Sequence, residues 1–381
     1  IARALLVVSS LRPGGAERVI VNIARHLDRS RFEPILAVGT PEGHYLQDVP
    51  PDVIMVTLGS ERSRRAGPKL VRTVRQIRPD VVLSTTGLNW ATAVTRGLFP
   101  VGTRVVLREG NSPSAFLDDV AATRPAAARV YRHLYPWVYG RADAVICQSE
   151  FMRHDLLATF GLSSDLISVI PNPIDTEAVQ ERARDDAPVA GVPGTHLVAV
   201  GRLAHQKGID VLLRSLALLA ERSIRPHLWI LGEGPERQAL EQLAINLGVR
   251  EQVHFEGVVS NPFAYVSRAD LFVSASRYEG LSNAVIESLV CGTPVVATDC
   301  PSGIRETLEI GATGWLCPPE DPKALSEAIS VAITSGSSLS RQEISAGASV
   351  RWGAKTVIRA YERVLLARPE EARCGARAGT G

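Results

Sequence analysis

Cysteine is scarce in this chain and shows no pairing pattern: five of 381 residues, at 147, 291, 300, 317 and 374, with no CxxC. An odd, unpatterned set argues against a disulfide framework and fits reduced thiols in a cytosolic protein. Charge of one sign is missing too. The formal net charge is +2, too near neutral to point to nucleic acid or to a general membrane surface. No apolar run is long enough to span a bilayer, and the opening "ALLVVSS" reads as a first strand. No signal peptide is legible, so a cytoplasmic location is expected. Low-complexity tracts and internal repeats are absent. There is no DxD, no His/Cys/Asp cluster with metal-ligand spacing, no GxSxG elbow and no Walker loop. Nothing therefore points to a bound metal or a cofactor, and neither is expected.

What is present is a double ladder. The chain is 45% hydrophobic and 22% charged, with 31 Gly and 24 Pro, an ordinary globular balance, and its length favours two domains. Short β-branched runs alternate with amphipathic stretches, the signature of parallel sheets flanked by helices. The first series is "ARALLVVSS", "FEPILAVG", "DVIMVTLG", "DVVLSTT", "TRVVLREG", "ADAVICQS" and "ISVIPN". The rhythm fails across 172–195, a polar stretch rich in Pro and Gly, which reads as a boundary. A second series follows: "THLVAVGR", "PHLWILGEG", "VHFEG", "DLFVSAS", "TPVVATD" and "GWLC". Domains are expected at 1–175 and 176–355, with a terminal helix at 356–368 packing back on the first and a disordered tail at 369–381. Open α/β sheets bind ligands beyond the carboxyl ends of their strands. A cleft between the two sheets is the expected site.

Three loops fall on that side. In "SSLRPGGAERVI", Gly14 and Gly15 end a strand and open a helix, where small residues let amides approach an anion; an ordinary glycine turn would look the same. In "VGRLAHQKGIDVL", Arg202 and Lys207 could neutralise a diphosphate, the guanidinium by paired hydrogen bonds and the ammonium as a compact charge. Two solvated surface charges are the plain alternative. In "SRYEGLSNAVIESLV", Glu279 precedes a short helix for which Ser282 is an N-cap candidate, and Glu287 lies two turns along it. A carboxylate there could accept from the vicinal hydroxyls of a sugar, or Glu287 could simply face solvent. "LGEGPER" imitates a dinucleotide fingerprint, but Arg237 replaces its third glycine.

Taken in order, "GGAERV", "GRLAHQKGID", "GEGPE", "VHFEGVV" and "EGLSNAVIES" resemble the family 4 retaining glycosyltransferases over roughly residues 1–368. The resemblance implies a GT-B architecture, an α/β fold of two Rossmann-like domains with parallel sheets facing across a cleft. It also implies roles. Arg202 and Lys207 would contact the donor diphosphate, Glu279 the donor sugar and Glu287 the nucleotide ribose. The amides of Gly280, Leu281, Ser282 and Asn283 would hold sugar and phosphate, Gly14 and Gly15 would approach the phosphates from the other domain, and Gly257 and Val258 would meet the base. One departure stands out. Many members carry a histidine after a first-domain strand, where this chain has Arg108, Glu109 and Asn111; this resembles a subset found in bacterial polysaccharide and lipid-linked oligosaccharide assembly and makes these three the acceptor-side candidates.

The expected activity is metal-independent, retaining transfer of a hexose or N-acetylhexosamine from a UDP-linked donor to a glycan or polyprenyl-linked acceptor. A GT-B-fold nucleotide-sugar epimerase and an NAD-dependent oxidoreductase are the alternatives. Residues 61–79 add one further expectation. Arg62, Arg64, Arg65, Lys69, Arg72, Arg75 and Arg78 stand there against a single acid, Glu61. They form either a normal surface helix or a patch touching anionic lipid at the inner leaflet.

Overall fold

The computed structural model describes residues 1–367. The expected tail at 369–381, and Cys374 with it, lie outside the described residues. Within them the chain forms two units: Ile1–Pro173 joined by the segment from Ala354 onward, and Ile174–Gly353.

The first unit carries a seven-stranded sheet. Its strands are β1 (Ala2–Val8), β2 (Phe32–Val38), β3 (Ile54–Thr57), β4 (Val81–Thr85), β5 (Arg104–Arg108), β6 (Ala144–Cys147) and β7 (Ile167–Val169). They lie in the order β3-β2-β1-β4-β5-β6-β7, each parallel to its neighbours. Helices cover both faces, so the central strands need apolar side chains on both sides, and Ala4 through Val8 are fully buried. The helix Ala354–Leu366 belongs to this unit. Val357, Ile358, Tyr361 and Leu365 join the core beneath β1 and β2, and Glu362 accepts the Asp28 N–H at 2.9 Å.

The second unit has six strands: β8 (His196–Val200), β9 (His227–Leu231), β10 (Val253–Gly257), β11 (Leu271–Ser274), β12 (Val295–Thr298) and β13 (Gly314–Cys317). Their order is β10-β9-β8-β11-β12-β13, again parallel throughout. The chain enters and leaves this unit side by side: the Ile174 N–H donates to the Trp352 carbonyl at 2.9 Å, and Ile174 bridges to Gly353.

Each sheet reverses its winding once, between β1 and β4 in the first unit and between β8 and β11 in the second. At such a switch point the flanking loops diverge and leave a crevice at the strands' carboxyl ends. The loops singled out from sequence, 9–15, 201–208 and 275–282, leave the carboxyl ends of β1, β8 and β11.

Candidate active site

At the second unit's switch point the loop after β8 meets the loop after β11. Lys207 Nζ donates to Glu279 Oε1, and the Ser276 hydroxyl donates to the same oxygen at 2.9 Å. The pair is only partly shielded, with side chains 22% and 13% exposed, so both heads remain in reach of a ligand. Arg202 is exposed in the first of these loops. Among the described residues its guanidinium forms no hydrogen bond or ion pair, leaving its fork of donors available, while its carbonyl accepts the Ala204 N–H at 2.9 Å.

The close approach of the two loops explains the glycine after Lys207. Gly208 has φ +59°, and a Cβ there would lie 2.0 Å from the Ala275 carbonyl oxygen. Only glycine permits both the left-handed backbone and that contact. Arg277 then clamps the loops together. Its guanidinium is bidentate to Asp210 at 2.9 and 2.9 Å, donates to the His205 carbonyl at 2.6 Å and pairs with Glu320. Its N–H donates to the Gln206 carbonyl at 2.8 Å, and Gln206 Nε2 returns a bond to the Tyr278 carbonyl at 2.9 Å. Burial would lower the guanidinium's proton affinity, but the two carboxylates hold it above its ordinary value. Burial would likewise raise Asp210, and the Arg277 hydrogen bonds hold it below the usual carboxylate range.

Glu287 lies on the helix Asn283–Val290 and is buried, at 6% exposure, among Val285, Ile286, Leu289 and Val290. The solvated-face reading is thereby overturned, since a carboxylate is held out of water only against a desolvation cost. Ser282 occupies the N-cap position in extended conformation, but its side chain makes no capping bond. The capping expectation fails at the hydroxyl while holding for the backbone. Gly280 accepts the Gly303 N–H at 2.9 Å, and the Glu279 N–H donates to the Pro301 carbonyl at 3.1 Å, which fixes the segment entering the helix.

The "GEGPE" glycines have a packing role. A Cβ on Gly232 would lie 1.9 Å from the Gly201 carbonyl oxygen, and one on Gly234 would lie 2.2 Å from that of Leu203. The loop after β9 therefore lies directly against the loop carrying Arg202, through Leu203 N–H to Glu233 O at 2.9 Å and Glu236 N–H to Leu203 O at 3.1 Å. Arg237, in place of the third glycine, is held by Glu233 and Glu241 at 2.6 Å each. Gly257 has φ +71°, and its carbonyl accepts the Gly232 N–H at 2.7 Å; Val258 beside it is exposed.

In the first unit, Gly14 is the extended N-cap of the helix Gly15–His26. A Cβ on Gly14 would strike the Glu17 carboxylate at 2.2 Å, so the glycine makes room for Glu17 to fold back over the helix start. Burial raises the Glu17 proton affinity, against its own backbone hydrogen bond and the Arg108 charge. Beyond β4, Thr86 has φ +48°, a left-handed conformation rare for a β-branched residue. It faces Gly110, where a Cβ would lie 2.9 Å from the Thr86 methyl.

The acceptor-side candidates divide. Arg108 is 2% exposed, donating to the Tyr361 hydroxyl at 3.2 Å, to Thr85 Oγ1 at 3.2 Å and to Asn172 Oδ1. It ties β5 to the terminal helix and points into the fold. Glu109 is buried and accepts from the hydroxyls of Tyr135 and Tyr139; burial, then that carboxylate, pushes both phenols well above their ordinary values. Asn111 alone is half-buried in the loop, its Oδ1 accepting the Ser112 N–H at 3.1 Å.

Arg277, Ser276, Asp210 and Glu17 were not singled out from sequence, although Ser276 and Arg277 stand beside Glu279. Nothing in spacing tells a clamp from a surface arginine. A cavity of about 410 Å³, lined by Thr195, Asp270, Pro294 and Arg341 among others, opens at the amino ends of β8, β11 and β12. That is the opposite edge of the sheet from Lys207 and Glu279, and the cavity has no part in this site. Among the described residues no group of three His, Cys, Asp or Glu side chains is placed to hold a metal ion. No helix among them is long and apolar enough to cross a membrane.

Comparison with known proteins gives this geometry its family. Residues 13–178 match the model of Glycosyltransferase Family 4, and residues 194–335 match that of Glycosyl transferases group 1. The chain is 28% identical over 276 residues to an N-acetylgalactosamine-N,N'-diacetylbacillosaminyl-diphospho-undecaprenol 4-alpha-N-acetylgalactosaminyltransferase of Campylobacter jejuni, covering 72% of this chain and 71% of that protein. It is 31% identical over 193 residues to the lipopolysaccharide core biosynthesis glycosyltransferase LpsE of Rhizobium meliloti, covering 50% and 54%. Against that second relative the chain thus spans about half the length. In fold it is similar to Anabaena Alr3699/HepE in complex with UDP and glucose, at TM-score 0.78 and 20% identity over 97% of this chain and 100% of that one. It is also similar to a sucrose-phosphate synthase from Thermosynechococcus elongatus, at TM-score 0.81 and 18% identity over 96% and 98%. With a family 4 domain in its first half, a group 1 domain in its second and two parallel-sheet Rossmann-like units, the chain belongs to the glycosyltransferases of GT-B type.

Proposed function

We propose that the protein transfers a hexose or N-acetylhexosamine from a UDP-sugar to a glycan or polyprenyl-linked glycan acceptor, with retention at the anomeric carbon and without a metal ion. The observation that carries this reading is the Lys207–Glu279–Ser276 constellation beside Arg202 at the switch point of β8 and β11. Two cations and one oriented carboxylate there match the charges of a sugar diphosphate: Arg202 and Lys207 toward the phosphates, Glu279 toward the sugar hydroxyls. Glu287 is assigned to the ribose, the backbone of Gly280, Leu281, Ser282 and Asn283 to sugar and phosphate, and Gly257 and Val258 to the base. Gly14 and Gly15 are assigned to the phosphates.

Transfer proceeds by front-face substitution. As the bond from the anomeric carbon to the phosphate oxygen breaks, negative charge grows on the diphosphate, where Arg202 and Lys207 stabilise it. Preorganised donors of this kind usually carry the largest share of catalysis. The acceptor hydroxyl attacks from the same face and passes its proton to the departing phosphate oxygen. Glu279 holds the sugar; it does not leave Lys207 unpaired before the donor arrives, so the ammonium is kept oriented. The acceptor identity is supported by the Campylobacter relative, whose name specifies a diphospho-undecaprenol acceptor, and UDP by the Anabaena complex.

The test is a thermal-shift panel of UDP, GDP, ADP and their sugars, then transfer to a polyprenyl diphosphate glycan with proton NMR of the product anomer. An α-linked product from an α-configured donor, undiminished in EDTA, is expected. An inverted product, or activity lost in EDTA and restored by Mg²⁺ or Mn²⁺, would overturn the mechanism. Contact with an anionic membrane completes the proposal. On the helix Ser63–Ile77, Leu70 and Val74 are spent on the core while Arg64, Arg65, Lys69, Arg72 and Arg75 face solvent, so this helix offers charge alone.

A further inference from the structure

The helix Pro125–Tyr139, in the first unit, is apolar on two faces. Ala128, Tyr135, Val138 and Tyr139 point into the core. On the outside, Val130, Tyr131, Leu134 and Trp137 are 53%, 41%, 42% and 52% exposed. Positions 130, 134 and 137 recur at helical spacing, so they form one outward stripe. Phe116, 43% exposed on the adjoining helix Pro113–Thr123, extends it. A surface helix normally turns polar residues outward, and a contiguous apolar stripe marks a surface that something covers.

The charges around the stripe say what covers it. From Arg124 to Ala142 there is no acidic residue, and Arg124, Arg129, Arg132 and His133 are exposed, Arg132 pairing with Asp118 of the adjoining helix at 3.2 Å. The Arg141 guanidinium sits over the Trp137 ring at 4.9 Å. A neighbouring helix continues the same sign: Arg75 Nε, on the basic helix, donates to the Leu98 carbonyl at 2.9 Å, and Arg141 Nε donates to the Ala93 carbonyl at 3.0 Å. The helix Asn89–Thr95 and the turn after it thus join the two, and Leu98 and Val101 stand exposed between them. Exposed Trp and Tyr with Leu and Val, rimmed by Arg, is the composition of a helix lying in the bilayer interface. A soluble acidic protein would meet the charge but leave the stripe's aromatic tips no half-wet layer to occupy.

We propose that this stripe inserts into the headgroup layer of an anionic bilayer, with the basic helix Ser63–Ile77 as its electrostatic support. The inference rests on the lipid-linked acceptor reading: the helix carrying Phe116 begins directly after Asn111, so the wedge would bring the acceptor-side loop down to the membrane. It extends the sequence expectation, which placed the membrane contact in 61–79, a helix whose Leu70 and Val74 are buried in the core.

The test is co-sedimentation of the full chain with acceptor-free vesicles of phosphatidylglycerol and phosphatidylcholine in equal parts, and of phosphatidylcholine alone. Wild type should bind the mixed vesicles and not the neutral ones. The double substitution Leu134→Ser with Trp137→Ser should weaken binding at least tenfold, while melting temperature and activity on a soluble acceptor stay at wild-type level. Arg64→Gln with Arg72→Gln should also weaken it, by about fivefold per charge, and should reduce its salt dependence. Equal binding by the Leu134/Trp137 variant and wild type would overturn the proposal, as would no binding of wild type to the mixed vesicles. So would a lipid-free dimer that the same double substitution dissociates, because the stripe would then be covered by a second copy. Loss of soluble-acceptor activity in wild type would instead sink the transfer reading and leave vesicle binding to be judged alone.

Discussion

Replacing Arg277 by alanine tests whether the site depends on a clamp outside its ligand contacts. The side chain is 11% exposed and holds Asp210, 35% exposed, and Glu320, 57% exposed. Breaking a fully buried pair costs about 3–5 kcal/mol, whereas an exposed pair is worth about 0–1 kcal/mol. Asp210 lies between these limits, because water can reach its carboxylate once the guanidinium is gone. A loss of about 2–3 kcal/mol is therefore expected for Arg277→Ala, hydrogen bonds to charged groups included. Glu320→Ala should cost under about 1 kcal/mol. Arg277→Lys keeps the charge but not the fork, and should recover only part of the loss.

Urea denaturation followed by a probe in the second unit reads the stability, and titration calorimetry with UDP reads the site. If the clamp holds Lys207 and Glu279 in register, Arg277→Ala weakens UDP and lowers turnover together, and Arg277→Lys restores more turnover than stability. The pH arm has a definite sign. Asp210 is held below its ordinary value of about 3.9, so the pair's contribution is complete above that pH and disappears as pH falls through the lower folded-state value. Stability within about 0.5 kcal/mol of wild type, together with unchanged turnover, would refute the clamp.

Arg202→Ala should cost about 2–4 kcal/mol of transition-state stabilisation, as for loss of one preorganised donor, measured as kcat/KM with the fold intact by circular dichroism. Gly208→Ala should destabilise the second unit by about 1–3 kcal/mol and abolish UDP binding, since its Cβ would collide with the Ala275 carbonyl; a well-folded, fully active variant would contradict the loop contact. His227 and His254 pack ring nitrogen to ring nitrogen at 3.2 Å, and burial lowers both, followed by the His196 charge at His227 and the His227 charge at His254. The unfolded chain therefore binds more protons below its ordinary histidine value of about 6.5. Melting temperature should fall from there toward pH 5, and His254→Gln should flatten that slope. Burial pushes the thiols of Cys147, Cys300 and Cys317 up to about 12, about 11 and about 12, so mass-spectrometric labelling of the native protein at pH 7.5 should leave all three unmodified.

Much of the fold was legible because parallel sheets write themselves plainly. A strand buried on both faces needs an unbroken apolar run, and every run quoted from the sequence, from Ala2–Val8 to Gly314–Cys317, is a strand. Strand order was not legible, because local pattern does not record which runs pair. The boundary had the same difficulty. Composition marked the polar stretch after 172, but the division after Pro173 follows from Ile174 pairing with Trp352 and Gly353, a contact across nearly the whole second unit.

The site divides along a different line. Residues that must be glycine, or must carry charge in a loop after a strand, show their constraint locally: Gly208 because φ is positive and a carbonyl stands where Cβ would be, Lys207 because it precedes that glycine. Buried polar residues do not. Arg108 looks from sequence like any arginine at a strand end, yet its guanidinium faces Tyr361, more than two hundred residues away. Glu287 presents the reverse case, a carboxylate that pattern could have placed in water and that packing puts inside, at 6% exposure. An acidic group on a helix whose neighbours at 285, 286, 289 and 290 are all buried has only one way to be accommodated: something must donate to it. That demand can be met by the fold or by the donor's ribose, and substitution at Glu287 tells the two apart. It also fixes how the residue should respond: Glu287→Gln keeps one acceptor oxygen and should retain the fold with weakened UDP affinity. Glu287→Leu should fold at least as well as Glu287→Gln and bind no UDP. Equal UDP affinity in Glu287→Leu and wild type would mean that the carboxylate serves the fold alone.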